Sequence, residues 1–264
     1  MKSVLVTGSE GQLGKCLQKI ANNYDSLNFK FMDSKDLDIT NAKSLNSAFD
    51  SEHYDYCINC AAYTNVEQAE KTPNTAFQVN AYGVKQLAIQ CNKHDVILIH
   101  ISTDYVFDGN KKGGYLPSDR PNPINQYGKS KLQGEHYIQE ILEEYAIIRS
   151  SWLYSEYGHN FYKTILDKAK KKETLCVTDS QVGCPTNANH LAVFIMDIVL
   201  TQHFKTGIYH FTDGEAMSWY EFAKRIVKEH HLDSHVKVVK DKNYRTFARR
   251  PANSILIDAK NSLS

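Results

Sequence analysis

The sequence predicts an α/β fold in which a doubly wound parallel sheet is followed by a smaller C-terminal lobe. Short apolar runs alternate with helical patterns across residues 1–150, which is typical of β-α-β units. A glycine-rich turn follows the first run. After residue 150 the alternation loosens, so residues 151–264 are assigned to the lobe. Because no Pro/Gly-rich linker separates the two parts, they are expected to be interleaved in one compact body.

The predicted strands are short apolar runs, and the helices between them carry apolar residues at helical spacing. In the first part, strands are predicted at 4–7, 29–32, 56–59, 96–101 and 146–149, and helices at 12–23, 41–49, 75–92 and 126–144. In the lobe, helices are predicted at 159–172, 188–201 and 218–230, and strands at 174–177, 207–211 and 236–239. Right-handed crossovers should place helices on both faces of the sheet.

Composition argues against several classes of partner. Of the 264 residues, 42% are apolar and 23% charged, and the formal net charge is +1, so neither nucleic acid nor an anionic membrane is expected as a partner. No apolar run approaches the ~18 residues of a membrane span, and the apolar start is too short for a signal peptide. Cys57 and Cys60 lack a second C-x-x-C to complete a zinc site, so free thiols and a cytoplasmic location are predicted.

A glycine turn joins the first predicted strand to the first helix. Its sequence, TGSEGQLG at residues 7–14, has the spacing G-x-x-G-x-x-G. Glycines permit a tight turn and let backbone N–H groups approach a pyrophosphate at the helix N-terminus. The turn therefore predicts a Rossmann-like dinucleotide site, with a plain strand-to-helix turn as the alternative.

The end of the second strand bears on the choice of cofactor. Asp33 favours a free ribose 2′-hydroxyl and hence NADH. Ser34 and Lys35 could instead receive the 2′-phosphate of NADPH, so the cofactor is predicted as NADPH or NADH. Asp38 and Ile39 are expected to flank the adenine, although a carboxylate in DIT before a helix is also typical of a loop near a cap.

Three side chains point to acid–base chemistry at the carboxyl edge of the sheet. Thr103 follows the fourth strand, and Tyr127 and Lys131 lie four residues apart, on one face of the next helix. A Y-x-x-x-K pair alone is usually a surface pair, but after a glycine turn and two polar strand ends it indicates a catalytic set. Because a tyrosine pKa of ~10 is unsuited to neutral pH, the Lys131 cation is expected to lower the pKa of Tyr127.

Segments along nearly the whole chain resemble the extended short-chain dehydrogenase/reductases. They are TGSEGQLG (7–14), LDIT (37–40), NCAAYTNVEQAE (59–70), VNAYGVKQLA (79–88), STDYVFDG (102–109), YGKSKLQGE (127–135), RSSWLY (149–154), DSQVGCPT (179–186) and ARRPANS (248–254). The last three segments distinguish reductases of 4-keto sugar nucleotides from sugar epimerases, which share the same threonine, tyrosine and lysine. The resemblance implies a Rossmann-like sheet with a substrate lobe, and NAD(P)H-dependent reduction of the 4-keto group of dTDP-4-dehydro-L-rhamnose for cell-surface polysaccharide.

The resemblance also implies roles for individual residues. Tyr127 would donate the proton, Thr103 would bind the carbonyl oxygen, and Lys131 would hold the nicotinamide ribose. The cofactor residues would be Gly8, Gly11, Gln12, Leu13, Asp38, Ile39, Ala61, Ala62, Tyr63, Thr64, Tyr127 and Lys131. The substrate residues would be Val66, Thr103, Asp104, Tyr105 and Trp152, with Arg249 or Arg250 near the diphosphate.

The resemblance further implies a homodimer, and relatives continue past the ARRP segment into a final helix, whereas this sequence stops at Ser264. Some relatives hold a metal at the dimer interface through an acidic side chain early in the first helix. Because Cys16 stands there, no metal is predicted. Two other functions stay open: a non-catalytic NADP-binding regulatory subunit, like that of methionine adenosyltransferase, and another sugar-nucleotide epimerase or reductase.

Overall fold

The computed structural model describes residues 1–201 and 205–257. The strands are Lys2–Thr7 (β1), Leu27–Met32 (β2), Tyr56–Asn59 (β3), Ile97–Thr103 (β4), Tyr145–Ser150 (β5), Leu153–Tyr154 (β6), Leu175–Val177 (β7), Val182–Gly183 (β8), Thr186–Asn187 (β9), Gly207–His210 (β10), Met217–Ser218 (β11) and Val238–Lys240 (β12). The α-helices are Gln12–Ala21 (α1), Ala42–Ser51 (α2), Val66–Lys71 (α3), Pro73–Phe77 (α4), Val84–Lys93 (α5), Gln126–Ile141 (α6), Phe161–Lys170 (α7), Ala188–Leu200 (α8) and Trp219–Glu229 (α9).

The centre of the molecule is a six-stranded sheet in the order β10-β5-β4-β3-β1-β2, with all neighbours parallel. The predicted α/β fold with a doubly wound parallel sheet is therefore confirmed. Strand β1 lies between β2 and β3. The chain therefore passes from β1 to β2 on one side of β1, and then crosses to β3 on the other side. Such a switch point opens a crevice at the carboxyl ends of the strands, where ligands of this sheet type bind.

One predicted strand belongs to a different part of the molecule than expected. Residues 207–211 were assigned to the lobe, but Gly207–His210 pairs with β5 at the edge of the central sheet. The helix before it, α8, lies against α1. Sequence position could not reveal this, because parallel pairing joins segments that are far apart along the chain. The division of the chain at residue 150 stays a prediction.

Alternating residues of the strands bury opposite faces of the sheet. On β1, Val4 and Val6 face a core shared with α1 and α8, whereas Leu5 faces a core shared with α2, α5 and α6. A separate apolar cluster holds the lobe together, with Ile165 of α7 and Phe222 of α9 at its centre. The lobe thus has its own small core beside the sheet.

The predicted helix at 75–92 is interrupted. In its place the chain forms α4, a π-helical turn at Gln78–Gly83, and then α5. The turn presents the side chain of Asn80, whose Oδ1 accepts from Tyr63 N at 2.8 Å and whose Nδ2 donates to Tyr63 O at 2.9 Å. Single π-turns are frequent at functional sites, and this one holds the loop that follows β3.

A buried ion pair fixes α6 against the sheet. Arg149 Nη2 of β5 lies 2.6 Å from Glu135 Oε2 of α6, and the side chains are 1% and 0% exposed. Ser102 of β4 also donates to Glu135. Removing one partner of such a pair typically costs ~3–5 kcal/mol, because it leaves an uncompensated buried charge. The pair therefore sets the position of the helix that carries Tyr127 and Lys131.

Within the described part of the chain, a search for helices able to cross a membrane finds none.

Candidate active site

A cavity of about 620 Å³ opens at the carboxyl ends of the central strands, between the sheet and the lobe. Its walls bring together residues from the glycine turn, the strand ends, α6 and the lobe, among them Gly11, Gln12, Leu13, Ala62, Thr64, Thr103, Asp104, Tyr127, Lys131 and Trp152. The three residues of the predicted catalytic set thus face one space together with part of the glycine turn.

The glycine turn is shaped to receive an anion. A Cβ atom on Gly8, which has a φ of 65°, would lie 2.6 Å from Ala61 N, so the turn rests on the loop after β3. Helix α1 begins after Gly11, and no side chain caps its first N–H groups, whereas Asn41 and Asn125 cap α2 and α6. Free N–H groups at a helix N-terminus favour phosphate oxygens. The turn therefore fits a dinucleotide pyrophosphate.

A buried polar chain connects the glycine turn to Lys131. Thr7 Oγ1 donates to Asn59 Oδ1 at 2.7 Å, Asn59 Nδ2 lies 3.0 Å from His100 Nδ1, and His100 Nε2 lies 3.3 Å from Lys131 Nζ. Lys131 Nζ also donates to Ile101 O at 2.6 Å. Burial lowers the pKa of Lys131 to about 8, more than Glu135 raises it. Sequence reasoning did not identify His100 or Asn80, although both lie in or beside the segments that carry the resemblance.

The pKa of Tyr127 moves opposite to the expected direction. Burial raises it, the Thr103 hydroxyl lowers it and the Asp104 carboxylate raises it, and together they bring the pKa of Tyr127 to about 12. Lys131 is not among the groups that shift it, and the Lys131 amine donates to Ile101 O and lies 3.3 Å from His100 Nε2. The protein on its own therefore keeps Tyr127 protonated, which is the form a proton donor needs.

Asp104 lies directly beside Thr103 and is 3% exposed. Thr103 Oγ1 donates to Asp104 Oδ1 at 3.0 Å and accepts from Tyr105 N at 3.1 Å. Burial raises the pKa of Asp104 to about 7, although hydrogen bonds from Ser254 and Thr103 oppose that shift. The carboxyl group therefore changes charge close to neutral pH.

An aromatic wall closes the lobe side of the cavity. The rings of Trp152 and Trp219 stack with centroids 3.5 Å apart and planes 6° apart, and Phe161 packs against Trp219. Trp152 has a φ of 48°, a left-handed conformation that is costly for a side chain of this size. Sequence reasoning selected Trp152 and missed Trp219, which was visible only as the start of a predicted helix.

A clasp joins the C-terminal segment to α3. Glu67 Oε2 accepts from Phe247 N at 2.9 Å and Ala248 N at 3.0 Å, and Glu67 Oε1 accepts from Arg250 Nη2 at 2.9 Å. Arg250 Nη1 also donates to the Tyr105 hydroxyl at 3.4 Å. Of the two candidate arginines, Arg250 thus lies at the site, whereas Arg249 is exposed.

Other predicted residues lie beside the cavity rather than on its walls. Tyr105 packs edge-on against Tyr127, and Val66 begins α3 and is half-buried. Asp38 is exposed, and its Oδ1 accepts from Thr40 N, as the loop-carboxylate alternative requires. Ile39 is buried against the π-helical turn.

Two further predicted positions can be placed. Asp33 Oδ1 accepts from the backbone N–H groups of Lys35 and Asp36, so one carboxylate oxygen is committed to its own loop. Cys16, where relatives are expected to carry an acidic side chain, is buried in α1, and its thiol is free.

Comparison with known proteins gives one family. A family model described as the RmlD substrate binding domain matches residues 1–263. The dTDP-4-dehydrorhamnose reductase of Aggregatibacter actinomycetemcomitans is 40% identical, over 97% of this chain and 90% of the relative. A spore coat polysaccharide biosynthesis protein of Bacillus subtilis, SpsK, is 36% identical over 97% of this chain and 89% of its own length.

A solved structure agrees with these sequence relatives. The dTDP-4-dehydrorhamnose reductase of Bacillus anthracis, crystallised in complex with NADP, superimposes with a TM-score of 0.93 at 38% identity, covering 100% of this chain and 93% of that one. Its match extends over the sheet, the cavity and the lobe alike. The chain therefore belongs to the RmlD substrate binding domain family, the family of the dTDP-4-dehydrorhamnose reductases.

Proposed function

We propose that this protein is an oxidoreductase that reduces the 4-keto group of dTDP-4-dehydro-L-rhamnose to give dTDP-L-rhamnose, with NADPH or NADH as reductant. The observation that carries the proposal is the shared cavity, in which an uncapped glycine turn, Thr103, Tyr127 and Lys131 face one another. A protein that only binds the cofactor would need the glycine turn but not the hydroxyl groups of Thr103 and Tyr127.

The cofactor residues proposed for this chain form two groups. Gly8, Gly11, Gln12 and Leu13 would hold the pyrophosphate at the start of α1, and the loop Ala61–Thr64, which Asn80 fixes, would lie along the cofactor, with Asp38 and Ile39 toward the adenine. Lys131, whose amine is anchored at Ile101 O, would hold the nicotinamide ribose. When bound, the reduced nicotinamide supplies a hydride to a carbonyl carbon.

The protein's own contribution to the chemistry is a proton and a polar environment. Tyr127 would donate its phenolic proton to the oxygen that gains charge, and Thr103 would donate a hydrogen bond to the same oxygen. Removing one such donor typically costs ~10²–10³ in rate. Since burial keeps Tyr127 protonated, the proton is present before the reaction begins.

The substrate proposed is a sugar nucleotide that extends from the strand ends to the clasp. Val66, Asp104, Tyr105 and Trp152 would surround the sugar, and the guanidinium of Arg250 would meet the diphosphate, a contact for which arginine is well suited. We further propose a homodimer in the cytoplasm, where nucleotide sugars and free thiols coexist. The family and the free cysteines support this location.

The test is an assay that follows cofactor absorbance at 340 nm with dTDP-4-keto-6-deoxy sugar and either NADPH or NADH. Tyr127→Phe should lower turnover by about 10²–10⁴-fold, because it removes the proton donor but not the ring. Its cofactor affinity should change little. The matched control is Tyr137→Phe, since Tyr137 lies on the same helix, packs against Tyr82 and does not line the cavity; it should behave as wild type.

Each alternative function has its own signature in the same preparation. Absence of cofactor oxidation by folded protein that binds NADPH would favour the regulatory-subunit reading. Cofactor that stays bound through purification, with interconversion of sugars and no net oxidation, would favour an epimerase. Tyr127→Phe with wild-type turnover would remove Tyr127 as the donor.

A further inference from the structure

The buried carboxyl group of Asp104 controls the direction of the hydrogen bonds at the reacting end of the cavity. Thr103 Oγ1 is 3.0 Å from Asp104 Oδ1, and the Ser254 hydroxyl also approaches the buried carboxyl group. Among residues 1–201 and 205–257, no basic side chain forms an ion pair with Asp104. A carboxylate without a cation is costly in such a place.

The hydroxyl group of Thr103 has one proton and two lone pairs. Tyr105 N donates to one lone pair at 3.1 Å. When Asp104 is ionised, its carboxylate can only accept, so it takes the Thr103 proton. The Thr103 proton is then unavailable to the neighbouring Tyr127 phenol, whose pKa the Thr103 hydroxyl lowers, and to a substrate oxygen. The hydrogen bond that Thr103 would give to the substrate oxygen is thereby turned away from it.

The neutral form of Asp104 reverses this arrangement. A protonated carboxyl group can donate to the Thr103 oxygen, which already accepts from Tyr105 N. The Thr103 proton is then free to point into the cavity. A substrate oxygen with two lone pairs can accept from Thr103 and Tyr127 together. Asp104 keeps its own proton throughout, and the only proton transferred is that of Tyr127.

We propose that Asp104 acts as a neutral carboxylic acid, a positioning residue that turns the Thr103 hydroxyl toward the substrate oxygen. This inference rests on the proposed function and adds a residue that controls the reaction without donating to the substrate. The titratable and charged groups around Asp104 are Tyr105 on its own turn, Tyr127 on α6, and Lys131 and His159 on the cavity wall, with Arg250 reaching Tyr105 from the C-terminal segment.

The proposal predicts how kcat changes with pH, because the active enzyme is the one in which Asp104 is protonated. Burial raises the pKa of Asp104 to about 7. Below that pH the carboxyl group is protonated and Thr103 is free, and above it the carboxylate captures the Thr103 proton. The value of kcat should therefore fall as pH rises through about 7, approaching the ~10²-fold loss of one hydrogen-bond donor.

The experiment measures the ratio of kcat at about pH 6 to kcat at about pH 8.5, with cofactor and sugar nucleotide saturating so that binding does not enter. We expect the ratio of wild type to exceed that of Asp104→Asn by about tenfold or more, because the amide does not ionise, whereas any contribution from Lys131, whose pKa is about 8, is common to both enzymes. The matched control Asp108→Asn changes a nearby carboxylate that bonds to Tyr115 and Asn122, and should keep the wild-type ratio. In a Thr103→Ala background, adding Asp104→Asn should leave the ratio unchanged.

A spectroscopic titration tests the same group without turnover. Infrared spectra of the wild-type protein should show the carbonyl stretch of a buried carboxylic acid that disappears as pH rises through about 7. A carboxyl group still ionised at about pH 5.5, or an Asp104→Asn enzyme with the wild-type ratio, would overturn the proposal. Because the titration needs no substrate, failure of the reductase assay alone would count against the proposed function and not against this one.

Discussion

Burial moves the pKa of Asp104 up to about 7 and that of Lys131 down to about 8, and in both cases it favours the neutral form. Burial also raises the pKa of Tyr127 and lowers that of His100, which again favours the neutral form of each group. The spacing of Tyr127 and Lys131 predicted that they share a site, but not the sign of these shifts. Desolvation depends on what the rest of the chain places around a group, which a local pattern does not contain.

A prediction at this scale concerns the stability of Asp104→Asn. Between pH ~4 and ~7 the unfolded chain has an ionised carboxylate while the folded protein keeps its proton, so the free energy of unfolding falls as pH rises across that window. A shift of about three pKa units corresponds to at most ~4 kcal/mol. The asparagine variant should therefore gain up to ~4 kcal/mol over wild type at pH ~8, and little at pH ~4. Urea unfolding at both pH values measures this; equal effects at both would contradict it.

At the scale of elements, the strands of the sheet and helix α6 were predictable because their apolar residues repeat with the period of the structure they form. The two-residue strands β6, β8, β9 and β11 are too short to show a period. The π-helical turn at Gln78–Gly83 was also beyond prediction. It depends on Asn80 reaching Tyr63 across 17 residues, and a helical pattern looks the same with or without it.

The contact between α6 and this turn gives a prediction about Gly134. A Cβ atom there would overlap the Asn80 carbonyl oxygen, so the two elements must separate. Gly134→Ala should cost ~1–3 kcal/mol despite the better helix propensity of alanine, and should reduce turnover because Asn80 holds the Tyr63 loop. Thermal unfolding and the 340 nm assay would measure both effects. Gln139→Ala, on the exposed side of the same helix, should change stability by ~0.5 kcal/mol or less; a similar loss there would refute the steric explanation.

On the scale of the whole molecule, the clasp between Glu67 and the C-terminal segment joins residues about 180 positions apart along the chain. Glu67→Gln replaces one accepting oxygen by a donor, so either the backbone of Phe247 and Ala248 or the guanidinium of Arg250 loses its partner. We expect the KM of the sugar nucleotide to rise by roughly 3–30-fold, since a lost charged hydrogen bond is worth ~1.5–3 kcal/mol at most. The KM of the cofactor should stay within about twofold, because no residue of the clasp belongs to the proposed cofactor site.

Steady-state kinetics with each substrate varied in turn would measure this effect. Asp50→Asn is a suitable control, as it removes an exposed carboxylate whose ion pair with Lys93 lies on the far side of α2. Equal rises in both KM values would indicate a general loosening of the protein, and no change in either would show that the clasp is dispensable.

The overall architecture could be predicted only in part. The alternation of runs and helices, the glycine turn and the polar strand ends of the first 150 residues were enough to identify the sheet and its functional edge. The assignment of residues 207–211 to the lobe was wrong, because the sheet edge that this strand joins is formed by a segment some 60 residues earlier. The stacking of Trp152 on Trp219 could not be predicted for the same reason, because the two rings come from parts of the chain that are far apart in sequence.

The late position of β10 has a consequence for the protein's synthesis. Helix α8, residues Ala188–Leu200, covers the apolar face formed by residues such as Val4, Val6 and Ile148, and β10 follows it. During synthesis this apolar surface therefore stays exposed until α8 has been translated, about three quarters of the way along the sequence. Chains with such exposed surface tend to aggregate. Chaperone demand should thus be greatest during translation of the second half, and should end once Gly207–His210 has emerged from the exit tunnel.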